Sequence, residues 1–154
     1  MVMKINIICV GKLKEQFWVQ AIDEYKKRIS KFAELKIIEV DEASRIENLE
    51  QKSKIEGELL LKKSSGVIVA LDGNGKELTS PEIADYIHKN EINGESTISF
   101  LIGGSNGLSS EVKSRANLVL SFGKITFPHQ LFRVVLTEQI YRAFTIIAKL
   151  PYHK

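Results

Sequence analysis

One cysteine among 154 residues leaves no partner for an internal disulfide, so a fold held by disulfide bridges is excluded. That residue, Cys9, lies inside the apolar run Ile5 to Val10 and reads as a small buried hydrophobe rather than a nucleophile. The only three histidines, His88, His129 and His153, lack the close spacing of a ligand set, so no metal is expected. Proline is equally scarce, and no proline-rich linker, internal repeat or low-complexity tract marks a boundary, so residues 1–154 read as a single domain. Long apolar runs are missing too. The most apolar late stretch, Leu131 to Leu150, is broken by Arg133, Glu138, Arg142 and Lys149, charges too frequent for a spanning helix. Met1 to Val10 runs straight into Gly11-Lys12 without a small-residue cleavage pattern, so it is not read as a signal peptide. A soluble, cytoplasmic protein without membrane association is the expectation.

Several chemistries lack their motifs. The glycine run Gly103-Gly104-Ser105-Asn106-Gly107 has the spacing G-G-x-x-G rather than the dinucleotide G-x-G-x-x-G, and no acid follows about 20 residues on. Gly11-Lys12 lacks the upstream glycine and the following hydroxyl residue of a phosphate-cradling loop. No G-x-S-x-G elbow supports a hydrolase triad.

Hydrophobic residues make up 44% of the chain, enough for a real core. Strand-type runs recur at Ile5 to Val10, Leu35 to Val40, Val67 to Leu71, Ser99 to Ile102 and Leu118 to Phe122. Helix-length segments alternate with them: Glu15 to Ile29, Ile46 to Lys62, Pro81 to Asn90, Ser110 to Ala116 and Leu131 to Lys149. Ser80 before Pro81, and Ser109 before Glu111, read as helix N-caps, and Pro151 as the end of the last helix. This alternation predicts an α/β fold with a mostly parallel sheet flanked by helices, whose ligands bind beyond the carboxyl ends of the strands.

The net charge of +3 is unevenly spread: residues 1–36 carry +4, residues 37–114 carry −6 and residues 115–154 carry +5. Two basic ends gathered on one face would attract a polyanion, although on the charges alone ordinary solvated helix surface is the slightly favoured reading. The acids from Glu39 to Glu58 read as a solvated helix face.

Three stretches carry chemical promise. In Ser99 to Ser110 a buried-type strand runs directly into three glycines, which let backbone approach a ligand closely; a tight strand-to-helix turn is the plain alternative. Ser121 to Gln130 places Phe122 and Phe127 in a rigid loop able to wall a flat heterocycle while its backbone reads the edge; the plain alternative is that both belong to the core, which for Phe122 is the favoured reading. The last helix is apolar around most of its surface, which suggests a partner surface. Glu138 and Arg142 can pair along it at i and i+4, whereas Arg133 has no obvious partner. Tyr152, His153 and Lys154 then offer stacking, proton transfer and phosphate contact in succession.

Ile8-Cys9-Val10-Gly11-Lys12-Leu13, Leu71-Asp72, Leu101 to Leu108, Leu120-Ser121-Phe122, Thr126-Phe127-Pro128-His129, Arg133 to Leu136, Glu138-Gln139, Tyr141-Arg142-Ala143 and Pro151 to Lys154 together resemble the large-subunit ribosomal RNA methyltransferase H family of the SPOUT class. The resemblance spans the whole chain. It implies a homodimer whose C-terminal part is tied into a trefoil knot that binds S-adenosylmethionine; connection rules alone would give an unknotted sheet. It maps the cofactor onto Leu71, Gly103, Phe122, Gly123, Lys124, Ile125, Thr126 and Phe127, with Gly123 standing where serine or another small residue is usual. The substrate it implies is N3 of a pseudouridine in helix 69 of 23S ribosomal RNA, methylated on the assembled ribosome; a non-catalytic ribosome-binding or assembly module is the alternative. Since the sulfonium methyl is already activated, the protein must align it and remove the imide proton. His153 is the first choice of base and His129 the second. Arg133 and Arg142 would stabilise imide charge or hold phosphate, Tyr152 would stack on the base and Lys154 would contact RNA.

Overall fold

The structure is a computed structural model that describes residues 2–154. Five strands, β1 (Met3–Val10), β2 (Ala33–Val40), β3 (Val67–Glu77), β4 (Thr97–Ile102) and β5 (Leu118–Ser121), form one sheet in the order β2-β1-β4-β3-β5. Every pairing is parallel. The helices α1 (Gln16–Ile29), α2 (Leu49–Lys63), α3 (Ser80–Ile92), α4 (Ser110–Arg115) and α5 (His129–Ile147) are the crossovers and the C-terminal cover.

Side chains alternate across a strand, so β1 supplies both faces of the sheet. Ile5, Ile7 and Cys9 enter one apolar cluster with Leu136, Ile140 and Phe144 of α5, while Ile8 and Val10 enter a second with Leu60 and Leu61 of α2. Helices α1, α3 and α5 pack together on the first face, and α2 packs with α4 on the other. Coverage of both faces explains why β1 and β4 are near-continuous apolar runs. Cys9 is fully buried in the first cluster, and burial pushes its thiol up to about 12, which leaves it inert as a nucleophile.

Local chemistry moves several boundaries. Strand β3 runs past Leu71 to Glu77 because the chain, after an irregularity between Leu71 and Lys76, pairs again with Leu120 and Ser121. Helix α2 starts at Leu49, where Asn48 accepts the Gln51 amide. The N-cap of α3 is Thr79 and not Ser80: the Thr79 hydroxyl accepts the Glu82 amide while the Glu82 carboxylate accepts the Thr79 amide, a reciprocal capping box. Ser109 does cap α4, accepting the Val112 amide.

Helix α5 is ended by Lys149 rather than by Pro151. Lys149 takes φ 59°, which turns the Leu150 amide back onto the Thr145 carbonyl at 2.9 Å and its own amide onto the Ile146 carbonyl at 3.0 Å. No helix among the described residues is long and apolar enough to cross a membrane.

Candidate active site

Strands β3, β4 and β5 are neighbours, so the loops leaving their carboxyl ends converge. They enclose a cavity of about 600 Å³. Leu71, Gly103 and the whole run Phe122 to Phe127 line it, joined by His129 and Phe132 from the first turn of α5. The cofactor positions implied by resemblance are thus gathered around one space.

The glycine loop is shaped by its own packing. A Cβ on Gly103 would lie 2.6 Å from the Gly107 carbonyl carbon, and one on Gly104 would lie 2.9 Å from Glu56 Oε1 and 3.2 Å from Val10. Gly103 is therefore required by the backbone of its own loop, whatever ligand the loop meets. The second loop is held by Ser121, 2% exposed, whose hydroxyl accepts the Gly123 amide and lies 3.1 Å from both the Gly73 and Gly123 carbonyls. Gly123 turns there at φ 108°, a conformation that suits glycine at the position where serine was the expected family residue. No backbone hydrogen bond is donated by Lys124, Ile125, Thr126 or Phe127 among the described residues.

Phe122 and Phe127 each pack against Phe132, with ring centroids 5.2 and 5.7 Å apart. Phe122 is thus both a flank of the core and a wall of the cavity. Phe132 escaped the sequence reading because its spacing on α5 is that of an ordinary core residue. At the rim, Asp72 faces Lys113 at 3.7 Å.

Arg133 is not available to a substrate. It is 3% exposed, and its guanidinium donates to Glu39 Oε2 at 2.7 Å and to the Val10 and Gly11 carbonyls at 3.0 and 2.8 Å. The expectation of an unpartnered, RNA-facing Arg133 is corrected: this fork ties the first turn of α5 to the end of β1. Its partner Glu39 also accepts the Leu13 amide, and Glu56, 1% exposed, is buried outright, so neither belongs to a solvated helix face.

The remaining candidates form a second cluster around Glu138. Arg142 donates to both Glu138 oxygens, the Tyr152 hydroxyl donates to Oε2 at 2.8 Å, and the guanidinium lies over the Tyr152 ring at 4.8 Å. Burial and the neighbouring carboxylate push the Tyr152 phenol well above its ordinary range, so it stays a neutral donor. Arg142 Nη1 stands 3.1 Å from His153 Nδ1. Since guanidinium only donates, Nδ1 is the acceptor, and the ring carries its proton on Nε2 in this arrangement. The tail is therefore anchored rather than frayed, while Lys154 is exposed. Glu138 is its centre, a role that a plain i, i+4 pairing did not disclose. His129 and Arg142 are thirteen positions apart, roughly 20 Å along α5, and none of Arg142, Tyr152 and His153 lines the cavity of its own chain. Among the described residues no group of three or more His, Cys, Asp or Glu side chains is gathered as a metal site.

A parallel sheet whose carboxyl-end loops cradle a cavity, followed by a helix clamped back onto the first strand, defines a class that the comparisons identify. Residues 3–153 match the family of predicted SPOUT methyltransferases, and the chain belongs to that family. It is similar to proteins named ribosomal RNA large subunit methyltransferase H: 53% identical over 159 residues to the one from Clostridium botulinum, covering 99% of this chain and 100% of the relative. Against the one from Clostridium tetani it is 52% identical over 160 residues, with the same coverage. A solved structure of a probable methylase family protein from Haemophilus influenzae shares the fold, with TM-score 0.57 at 12% identity, covering 100% of this chain and 72% of that one.

Proposed function

We propose that this protein methylates ribosomal RNA of the large subunit, using S-adenosylmethionine held in the cavity at the ends of β3, β4 and β5, and that its target is N3 of a pseudouridine in helix 69 on the assembled ribosome. The observation that carries the reading is the convergence of the glycine loop and the Phe122 to Phe127 loop on one cavity of about 600 Å³. That volume lies within the roughly 300–1,000 Å³ of small-molecule sites. Its walls fit the adenosyl group: Leu71, Ile102, Leu120, Phe122 and Phe132 are apolar faces for a flat heterocycle, and the amides of Lys124 to Phe127 are free to read its edge. Bound S-adenosylmethionine supplies a methyl group already activated on a sulfonium sulfur.

The chain's own residues then have two tasks, to hold the uracil ring in line and to take its N3 proton. Arg142, Tyr152 and His153 line no part of the cavity of their own chain, so on this reading they serve the cavity of a second copy. We infer a homodimer in which Tyr152, His153 and Arg142 of one protomer face the cavity of the other. The half-buried apolar residues Leu131, Val134 and Val135 of α5 support this. Sedimentation that shows a monomer with full activity would end this part of the reading. His153 remains the proposed base, on the condition that Arg142 releases Nδ1, as it would when an RNA phosphate takes the guanidinium. His129, at the cavity rim of the same protomer, is the alternative.

The C-terminal trefoil knot belongs to the same proposal. The chain leaves β4, forms β5 beyond β3, and returns through α5 to be clamped at β1 by Arg133. Pulling the unfolded chain from both termini should leave its contour shorter than that of an open chain of equal length; a full contour refutes the knot. A cytoplasmic location follows from a ribosomal substrate. The deciding experiment supplies labelled S-adenosylmethionine and ribosomes lacking the modification. Methyl incorporation into helix 69 of 23S RNA is expected, and binding to ribosomes without incorporation would establish the non-catalytic module instead.

A further inference from the structure

The carboxyl group of Glu56 on α2 is buried, at 1% exposure. Its Oε2 accepts the Ala43 amide at 3.0 Å. Its Oε1 is sealed from solvent with no hydrogen-bond partner among the described residues. That free oxygen faces the glycine loop: a Cβ added to Gly104 would come within 2.9 Å of it. The adjacent Gly57 lets α2 approach just as closely beside it, where a Cβ would meet the Ser109 side chain at 2.5 Å and Val112 at 2.9 Å. Helix α2 is thus seated directly behind the loop that lines the cavity.

A second orphan, of opposite polarity, stands on that loop. Asn106 Nδ2 is also sealed from solvent and unpartnered among the described residues. Asn106 lies two residues beyond Gly104, inside a turn closed by the Gly107 amide on the Gly104 carbonyl at 3.0 Å. Two residues of chain span at most about 7 Å, so the backbone that meets the Glu56 oxygen and the backbone that carries Asn106 belong to one turn. Buried polar groups are almost always paired, because an unmet donor or acceptor loses its hydration for nothing.

We propose that Glu56 is a positioning residue for the cofactor loop, and that its free oxygen and the Asn106 side-chain amide form the hydrogen bond that fixes the loop in its ligand-holding shape. The inference rests on the reading of the cavity as the S-adenosylmethionine site. Neither residue touches the reacting atoms; both act through the backbone of Gly103 to Gly107.

Exchange of polarity tests it. In Glu56→Gln the side-chain oxygen keeps the Ala43 amide, leaving an NH2 group facing that of Asn106, while Asn106→Asp sets carboxylate against carboxylate. The double variant restores one donor and one acceptor. Each single change should weaken S-adenosylmethionine binding about tenfold by calorimetry, the scale of one lost hydrogen bond, and speed amide hydrogen exchange at Ser105 to Gly107 in the free protein. The double variant should recover to within about threefold of the starting affinity, with exchange slowed again. Losses that simply add in the double variant, or single variants indistinguishable from the parent, overturn the proposal. If the parent protein itself fails to bind S-adenosylmethionine, the cofactor reading falls, and exchange in the free proteins still decides the pairing by recovery or addition. Should a single variant fail to fold, recovery of the thermal transition in the double supports the pair, and its continued absence refutes it.

Discussion

Replacing Arg133 by methionine removes a guanidinium that bridges the first and last parts of the fold while keeping most of the side-chain volume. Three hydrogen bonds disappear, to Glu39 Oε2, the Val10 carbonyl and the Gly11 carbonyl. The Arg133 end of the ion pair is 4% exposed and the Glu39 end 34%, so Glu39 recovers part of its hydration while the Val10 carbonyl stays dry. Breaking a fully buried pair costs about 3–5 kcal/mol. With one partner half-solvated, the lower end of that range, about 3 kcal/mol, is expected. Arg133→Lys keeps the charge but cannot fork to all three acceptors, and should cost about 1.5 kcal/mol, one charged hydrogen bond. Urea denaturation measures both: the midpoint should fall with the slope m unchanged, since the surface exposed on unfolding stays the same. The reasoning fails if Arg133→Met leaves the midpoint in place and instead weakens ribosome binding with a reduced salt dependence, the mark of a phosphate contact.

Three further outcomes follow from local geometry. The raised Tyr152 phenol favours the protonated form in the folded state, so its contribution to stability is complete below about pH 10 and is lost as pH rises through its elevated folded value; spectrophotometric titration should show a late-ionising tyrosine that disappears in Tyr152→Phe. Lys149→Gly should raise stability by about 1 kcal/mol, because a left-handed C-terminal position strains any residue with a Cβ, and an unchanged denaturation midpoint would contradict it. His153→Ala should lower the single-turnover methylation rate at saturating ribosomes by about 10² to 10⁴-fold, whereas a near-normal rate there with a collapse in His129→Ala transfers the base to the cavity rim.

The sheet and its helices were legible because burial on both faces writes long apolar runs, and such runs with amphipathic segments between them admit few arrangements. The two cavity loops were legible for a related reason: glycines directly after a buried strand announce that backbone must come close to something. Here the something is partly the protein itself, since Gly103 yields to Gly107 and Gly104 to Glu56. The interior charges were illegible. Nothing in the spacing of Glu56 or Arg133 separates them from surface residues of the same type, because their partners lie beyond the reach of helical i, i+4 spacing, 13 residues away for Glu56 and up to 123 for Arg133. Thr79 as the true cap of α3 could have been found, since the Thr79 to Glu82 spacing is the capping-box signature. The left-handed turn at Lys149 could not, as no glycine or asparagine marks it.

The Arg133 clamp also bears on when the cavity can exist during synthesis. It joins residues separated by 122 and 123 positions, so its two halves are made almost at opposite ends of translation. Residues of the last strand and helix both line the cavity and secure it, and the β1 carbonyls that receive Arg133 must wait for them exposed. A nascent chain therefore carries an incomplete pocket until its C-terminal helix emerges, and a product truncated before β5 would hold most of the sheet without the walls that β5 and α5 give the cavity. The closing contact is among the most distant in the chain, so the entropic cost of closing a long loop falls on the contact that completes the cavity.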